Sequence, residues 1–187
     1  MRAFPIIVRC LLPLLLAFAS GCATPGYIPA RYQAAQNRFG AIHLPAGKKI
    51  YVCPTIDRLT DDDRERLDSS FSAWEHVTDA VEKELRASGI SPVRATIAFG
   101  PGFDSLQQAV REKAVKSEKA VYLGTELLRL TPNRWTLDAR LFDPAGTVLF
   151  EKRGLCVVFD TGPDAQEVAH MALRQILADP KFQAAIR

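Results

Sequence analysis

Four cysteines and three histidines are the side chains of this sequence best suited to redox, nucleophilic or metal chemistry. Two of the cysteines, Cys10 and Cys22, fall within an amino-terminal segment of different character. The other two, Cys53 and Cys156, lie in apolar, strand-like runs, Ile50 to Cys53 and Leu155 to Val158. In an oxidising compartment such an even pair is a candidate disulfide, provided the Cα atoms come within about 7 Å. The alternative is two buried thiols. Neither these cysteines nor His43, His76 and His170 show the close ligand spacing of a zinc site. Asp61 to Asp63 lack the spread of oxygen donors and the glycine bend of a calcium loop, and read as the acidic first turn of a helix. Gly100-Pro101-Gly102 has the outline of a phosphate loop, but Pro101 removes an N–H, Asp104 repels an anion, and no Walker lysine is present. It reads as a plain turn. With no G-x-S-x-G nucleophile elbow either, no catalytic residue, metal or cofactor is expected, and the chain reads as a non-enzyme.

The elements that would position these residues follow from periodicity and punctuation. Lys48 to Pro54 is a short apolar run closed by proline, as in a buried strand. Thr60 and the three aspartates offer capping oxygens, and Leu67, Phe71, Trp74, Thr78, Val81 and Leu85 then recur at three- and four-residue steps. They form the apolar face of a long helix ending at Ser88-Gly89, with Glu75, His76, Asp79, Glu82, Lys83 and Arg86 on its exposed side. Val93, Ala95, Ile97 and Phe99 alternate with Arg94, Thr96 and Ala98, as in a half-buried strand. Asp104 and Gln107 are spaced to cap a second helix carrying Leu106, Val110 and Ala114. Ala120 to Thr125 is apolar on consecutive positions, as in a central strand covered on both faces.

Trp135, Leu137, Ala139 and Leu141 keep strict period two up to Asp143-Pro144-Ala145-Gly146. That turn signal leads into Thr147 to Lys152, so the segment is a hairpin whose second arm runs on past a kink at Gly154. Asp164 and Glu167 cap a last helix carrying Val168, Met171, Ala172 and Ile176, and Asp179-Pro180 breaks it before a final helical turn. The order β-α-β-α-β-β-β-α describes an α/β (α+β) domain, a mixed sheet of about five strands backed by three helices.

The amino terminus sets the compartment. Arg2 and Arg9 flank the start of twelve uncharged, mostly apolar residues, Cys10 to Gly21, and small residues lead to Cys22. That run is too short to cross a bilayer, and its flanks are those of a secretory signal. Ala19-Ser20-Gly21-Cys22 resembles the lipobox of bacterial lipoproteins, in which the cysteine thiol takes a diacylglyceryl group and becomes the first residue after cleavage. Ala17-Phe18-Ala19 is also an A-x-A site, at which ordinary signal peptidase would release a soluble product. The lipobox implies a signal peptide over 1–21, a lipidated amino terminus and tether over 22–47, and one periplasmic domain over 48–187. Ala23, where an aspartate would retain the chain at the inner membrane, implies the outer membrane. Tyr27, Tyr32 and Phe39 stand in the tether as candidate partner contacts, or as groups that dock back on the domain.

Removal of Arg2 and Arg9 with the signal reduces 24 basic residues to 22 against 21 acids, a net charge of +1. That balance gives no reason to expect nucleic acid.

The strand Ile50 to Pro54, the helix closing L-x-x-S-G-I (Leu85 to Ile90), A-V-Y-L-G-T (Ala120 to Thr125) and L-x-A-R-L-F-D-P-A-G-T-V-L-F (Leu137 to Phe150) together resemble a group of small envelope lipoproteins. The group includes the curli-export lipoprotein, the lipoprotein activators of penicillin-binding proteins, and the domain preceding the propeller of the Tol-system protein. The resemblance covers roughly Lys48 to Leu177 and implies a mixed sheet backed by helices in a non-enzymatic assembly or regulatory role. The chain lacks the long insertions of a pore-forming strand pair, which argues against a secretion channel. The expectation is a lipid-anchored interaction module that positions or regulates an envelope complex through an unidentified protein partner. The alternatives are a homo-oligomeric structural or export-assembly subunit and, third, an envelope enzyme whose catalytic residues converge from distant parts of the sequence.

Overall fold

The computed structural model describes residues 42–44, 47–57, 73–131, 134–158 and 165–187. Cys22, Tyr27, Tyr32, Phe39, the expected helix start from Thr60 to Phe71, and the Asp164 cap lie outside them. The described elements are β1 (Lys49–Val52), β2 (Ile56–Asp57), α1 (Ala73–Ala87), β3 (Val93–Arg94), α2 (Phe103–Lys113), β4 (Ala120–Thr131), β5 (Arg134–Phe142), β6 (Val148–Val158), α3 (Ala165–Leu177) and α4 (Pro180–Ala185). This is the expected α+β order with the two-residue β2 added and the final turn realised as α4.

The sheet runs β3-β1-β4-β5-β6. β1 is parallel to β3 and β4, and the β4-β5-β6 meander is antiparallel. β2 continues along β4 after the break at Pro54, pairing Ile56 with Glu126 where β1 ended at Val52 opposite Leu123. Proline has no N–H for the ladder, so the strand is interrupted there. The break also explains why Val93 to Phe99 is not one long strand. The ladder stops at Arg94, with a last bond from Ala95 N–H to Val52 O at 2.8 Å, because β1 offers no further partner. The alternation itself survives, since Ala95 and Ile97 are buried while Thr96 and Ala98 are exposed.

Each sheet face has its own core. Ile50, Val52, Val121, Leu123, Leu137 and Leu141 pack under α1, α3 and α4, with Val77, Val81, Leu85, Leu173, Ile176 and Phe182. Tyr122, Phe142 and Cys53 pack under α2, with Phe103, Leu106 and Val110. Fully burying a Leu, Ile, Val or Phe side chain contributes about 1.5–3 kcal/mol, so these two layers hold the sandwich together. The end of the expected tether belongs to this body, because Leu44 is buried and donates its N–H to Ser88 O at 3.0 Å.

Helix ends follow local chemistry. α1 closes in a Schellman motif: Gly89 takes φ +86°, its N–H bonds Arg86 O at 3.1 Å, and Ile90 N–H bonds Leu85 O at 3.0 Å. α2 corrects the expected cap. Its N-cap is Gly102, with φ 87° and no side-chain cap bond, and Asp104 sits inside the first turn. Gln107 is instead drawn across to the hairpin, donating Nε2–H to Gly146 O at 2.8 Å. The hairpin turn forms as expected, with Asp143 Oδ1 accepting the N–H groups of Ala145 and Thr147 at 2.8 and 2.7 Å.

One placement on α1 differs from the periodicity. Glu82, expected among the exposed residues, is 7% exposed. Arg86 and Arg94 reach it at 2.9 and 2.6 Å, and a buried carboxylate is tolerated when cations satisfy it.

Candidate functional site

Among the described elements, α2 covers only part of its sheet face. Gly124 lets it approach, since a Cβ there would lie 2.3 Å from Leu106 Cδ2. Period-two continuation along β4 and β5 leads from Tyr122 and Gly124 to Glu126, and from Phe142 to Arg140 and Asp138. On β6, Glu151 lies opposite Arg140 and brings Arg153 onto the same side. Beyond α2 the sheet therefore presents charge where a covered sheet would present apolar side chains.

The charges interlock. Glu151 Oε1 accepts from Arg140 Nε at 2.6 Å and from Arg153 Nε at 2.7 Å. The Arg140 guanidinium lies over the Phe103 ring, 4.6 Å from its centroid, and 3.7 Å from Asp104. Asp138 Oδ1 accepts the Gly154 N–H at 2.6 Å, which secures the left-handed kink in β6 at φ +66°. Gly102, Asp104, Glu126, Asp138, Arg140 and Arg153 line a polar cleft of about 280 Å³ between the start of α2 and the sheet. The hydrogen bond from Arg153, opposed by desolvation and reinforced by Arg140, holds the Glu151 carboxyl below its ordinary range. Its stabilising contribution is therefore present above the ordinary carboxylate pKa and lost as the pH falls through the lowered one. Arg140, Glu151 and Arg153 are thus joined in one hydrogen-bonded charge network.

A second polar cluster lies inside the sandwich, between α1 and α3. Glu84 and His170 are both buried, with His170 Nδ1 2.8 Å from Glu84 Oε1. Arg174 Nε approaches Glu84 Oε2 at 3.3 Å. The fold brings His170 to Glu84, 86 positions away in the sequence. A signal for Glu84 was present, because it follows Val77 by seven residues and Ala80 by four, placing it on the buried stripe. Thr55, Thr78 and Thr125 form a third buried group. Thr55 Oγ1 lies 3.0 Å from Thr78 Oγ1 and 2.8 Å from Thr125 Oγ1, tying the break after β1 to α1 and β4.

The remaining sequence candidates are not brought together. His43 is exposed, and the side chain of His76 lies outside the described residues. The candidate disulfide is corrected: Cys53 is a free, buried thiol. It follows β1, whereas Cys156 lies in β6, and β4 and β5 separate the two. Three strand spacings amount to about 14 Å, twice the reach of a disulfide. Burial pushes the Cys53 thiol up to about 12, so the native protein keeps it protonated at neutral pH. Iodoacetamide at pH 8 is expected to leave Cys53 unmodified in native protein and to label it fully in denaturant, as read by peptide mass spectrometry. Among the described residues no group of three His, Cys, Asp or Glu side chains is placed to hold a metal ion.

These features define a mixed α+β sandwich in which, among the described residues, one sheet face is charged beyond α2. No family model matches the chain, and no curated protein matches it. Among solved structures it is similar to a single-substitution variant of the PelC dodecamer from Paraburkholderia phytofirmans, at 16% identity and TM-score 0.44, over 74% of this chain and 93% of that one. A PelC dodecamer from the same organism in another crystal form gives 17% identity and TM-score 0.43, over 78% and 94%.

Proposed function

We propose that this chain is a lipid-anchored interaction module of the bacterial envelope. It is held at the periplasmic face of the outer membrane through Cys22 and positions or regulates a protein complex there. What carries the reading is the sheet beyond α2, where among the described residues a strip of paired charges takes the place of a covering helix. Such a face suits a protein partner of complementary charge, since charge pairing across an interface fixes register and selects the partner.

A second reading, a homo-oligomeric export-assembly subunit, is favoured by β6. It is the end strand of the sheet path, and Val148 and Leu149 on it are 40% and 38% exposed. Antiparallel pairing of two copies about Lys152 would set Glu151 of each opposite Arg153 of the other, a self-complementary arrangement.

Photocrosslinkers in the full-length protein, one at Asp104 on the rim of the open cleft and one at Leu149 on the β6 edge, activated in intact envelopes, test the two readings. An adduct of twice the chain's mass indicates a second copy, and an adduct of any other discrete mass indicates a different partner. No adduct from Asp104 removes the open-face reading. Arg153→Ala is expected to abolish the Asp104 adduct while changing stability by less than about 1 kcal/mol, the usual worth of an exposed ion pair. In the same cells a Cys22→Ser chain is expected to leave the membrane fraction; retention there would remove the anchor.

A further inference from the structure

One end of the sandwich collects basic charge and exposed apolar surface. β1, β4 and β6 all begin at this end, and β5 finishes there. α2 finishes there too, because its last turn leads through the 114–119 loop into β4. Lys48, Lys49, Arg111, Lys113, Lys116 and Lys119 therefore share it, against Glu112, Glu118 and Asp143. The Asp143 carboxylate is engaged by two N–H groups of its own turn, and Lys48 Nζ and Lys113 Nζ donate to Ala185 O at 2.8 Å and Ala98 O at 3.2 Å. The surplus of three positive charges exceeds the +1 of the whole chain after Arg2 and Arg9 are removed, so positive charge is concentrated here.

Between the 116–118 loop and the hairpin turn runs an open groove of about 590 Å³, lined by Lys116, Ser117, Glu118, Asp143, Pro144 and Ala145. Lys116 holds the two walls together, donating to Arg111 O at 2.6 Å and to Pro144 O at 2.7 Å. Val115, beside the groove, is 55% exposed, the most exposed large apolar side chain among the described residues. The chain also enters the domain at this end. Leu44 bonds the close of α1 at Ser88, and Lys48 N–H bonds Ile186 O at 2.8 Å. Nineteen residues lie between Cys22 and Ile42, so a lipid on Cys22 would tether the domain by this basic end.

We infer that this end is a membrane-docking surface that takes the headgroups of an anionic phospholipid bilayer, with Val115 and the groove rim at the acyl boundary. The orientation rests on the lipid-anchored reading, whereas the surface chemistry does not. Electrostatic docking brings the domain down on the bilayer and leaves the open sheet half, at the opposite end of β4 and β5, pointing into the periplasm. The tether alone would permit any orientation.

The test uses residues 20–187 carrying Cys22→Ser, so that no acyl chain contributes, in sedimentation with phosphatidylglycerol-rich vesicles or with pure phosphatidylcholine. Binding is expected to the anionic vesicles only, and to vanish when salt shortens the screening length to about 3 Å. Lys49→Glu with Lys119→Glu is expected to weaken it at least about 25-fold, roughly fivefold for each lysine removed. Equal binding to both vesicle types, undiminished binding by the double variant, or no binding to either would overturn the inference. Mass spectrometry of Cys22 in the native protein decides the anchor separately: an unacylated cysteine removes the tether and leaves the vesicle result standing.

Discussion

Glu84→Ala is expected to lower the unfolding free energy by about 3–5 kcal/mol, visible as a fall in the denaturant midpoint at unchanged slope. The carboxylate lies between two helices that cover one core, with His170 at 2.8 Å and Arg174 at 3.3 Å. Its side chain is 4% exposed and those of His170 and Arg174 are 8% and 13% exposed, so water cannot replace it. Truncation leaves polar groups facing a new cavity, which costs far more than the pair itself contributes. Glu84→Gln keeps an oxygen and an N–H in place and is expected to lose less than half as much. The contrast is Lys152–Asp179, a 3.1 Å pair with the lysine 41% exposed, where Lys152→Ala is expected to cost less than about 1 kcal/mol. A Glu84→Ala loss no larger than that would show that the α1–α3 contact rests on its apolar neighbours alone.

Gly124→Val is expected to cost about 2–3 kcal/mol, within the range for overpacking a filled core. The first added carbon falls 2.3 Å from Leu106 Cδ2 and 3.4 Å from Phe103 Cε1. Leu106 is fully buried, so its side chain has little room to retreat, and α2 must lift from the sheet. Lifting α2 moves Phe103 from beneath Arg140, so partner crosslinking from Asp104 is expected to fall together with thermal stability. A double-mutant cycle separates the causes. If the clash with Leu106 dominates, Gly124→Val and Leu106→Ala should cost clearly less together than the sum of each alone. Strict additivity would place the strain elsewhere.

The open sheet half and the basic end have different physical characters. On β4 to β6 the charges are paired at hydrogen-bond distance, which favours selective recognition of a complementary protein surface. At the other end cations outnumber acids and stand beside exposed Val115, which favours a diffuse, salt-sensitive attraction. A chain anchored by its amino terminus can use both at once, because the two surfaces lie at opposite ends of the same strands.

Local pattern was readable wherever one side-chain period or one turn decides the outcome. The β5–β6 hairpin, the central β4, the kink at Gly154 and the Gly89 helix stop all follow from spacing within about ten residues, the range over which backbone sterics and alternation act. The α+β class follows from the order of those pieces. The buried role of Glu84, the meeting of Glu84 with His170, the distance between Cys53 and Cys156, and the truncation of β3 were settled by tertiary structure. Each depends on which element lies beside which, and the path of the chain between distant segments is not contained in the period of either one. The same holds for the two candidate surfaces: the sequence supplies Arg140, Glu151, Lys49 and Lys119, but only strand order and direction sort them onto a shared face or a shared end.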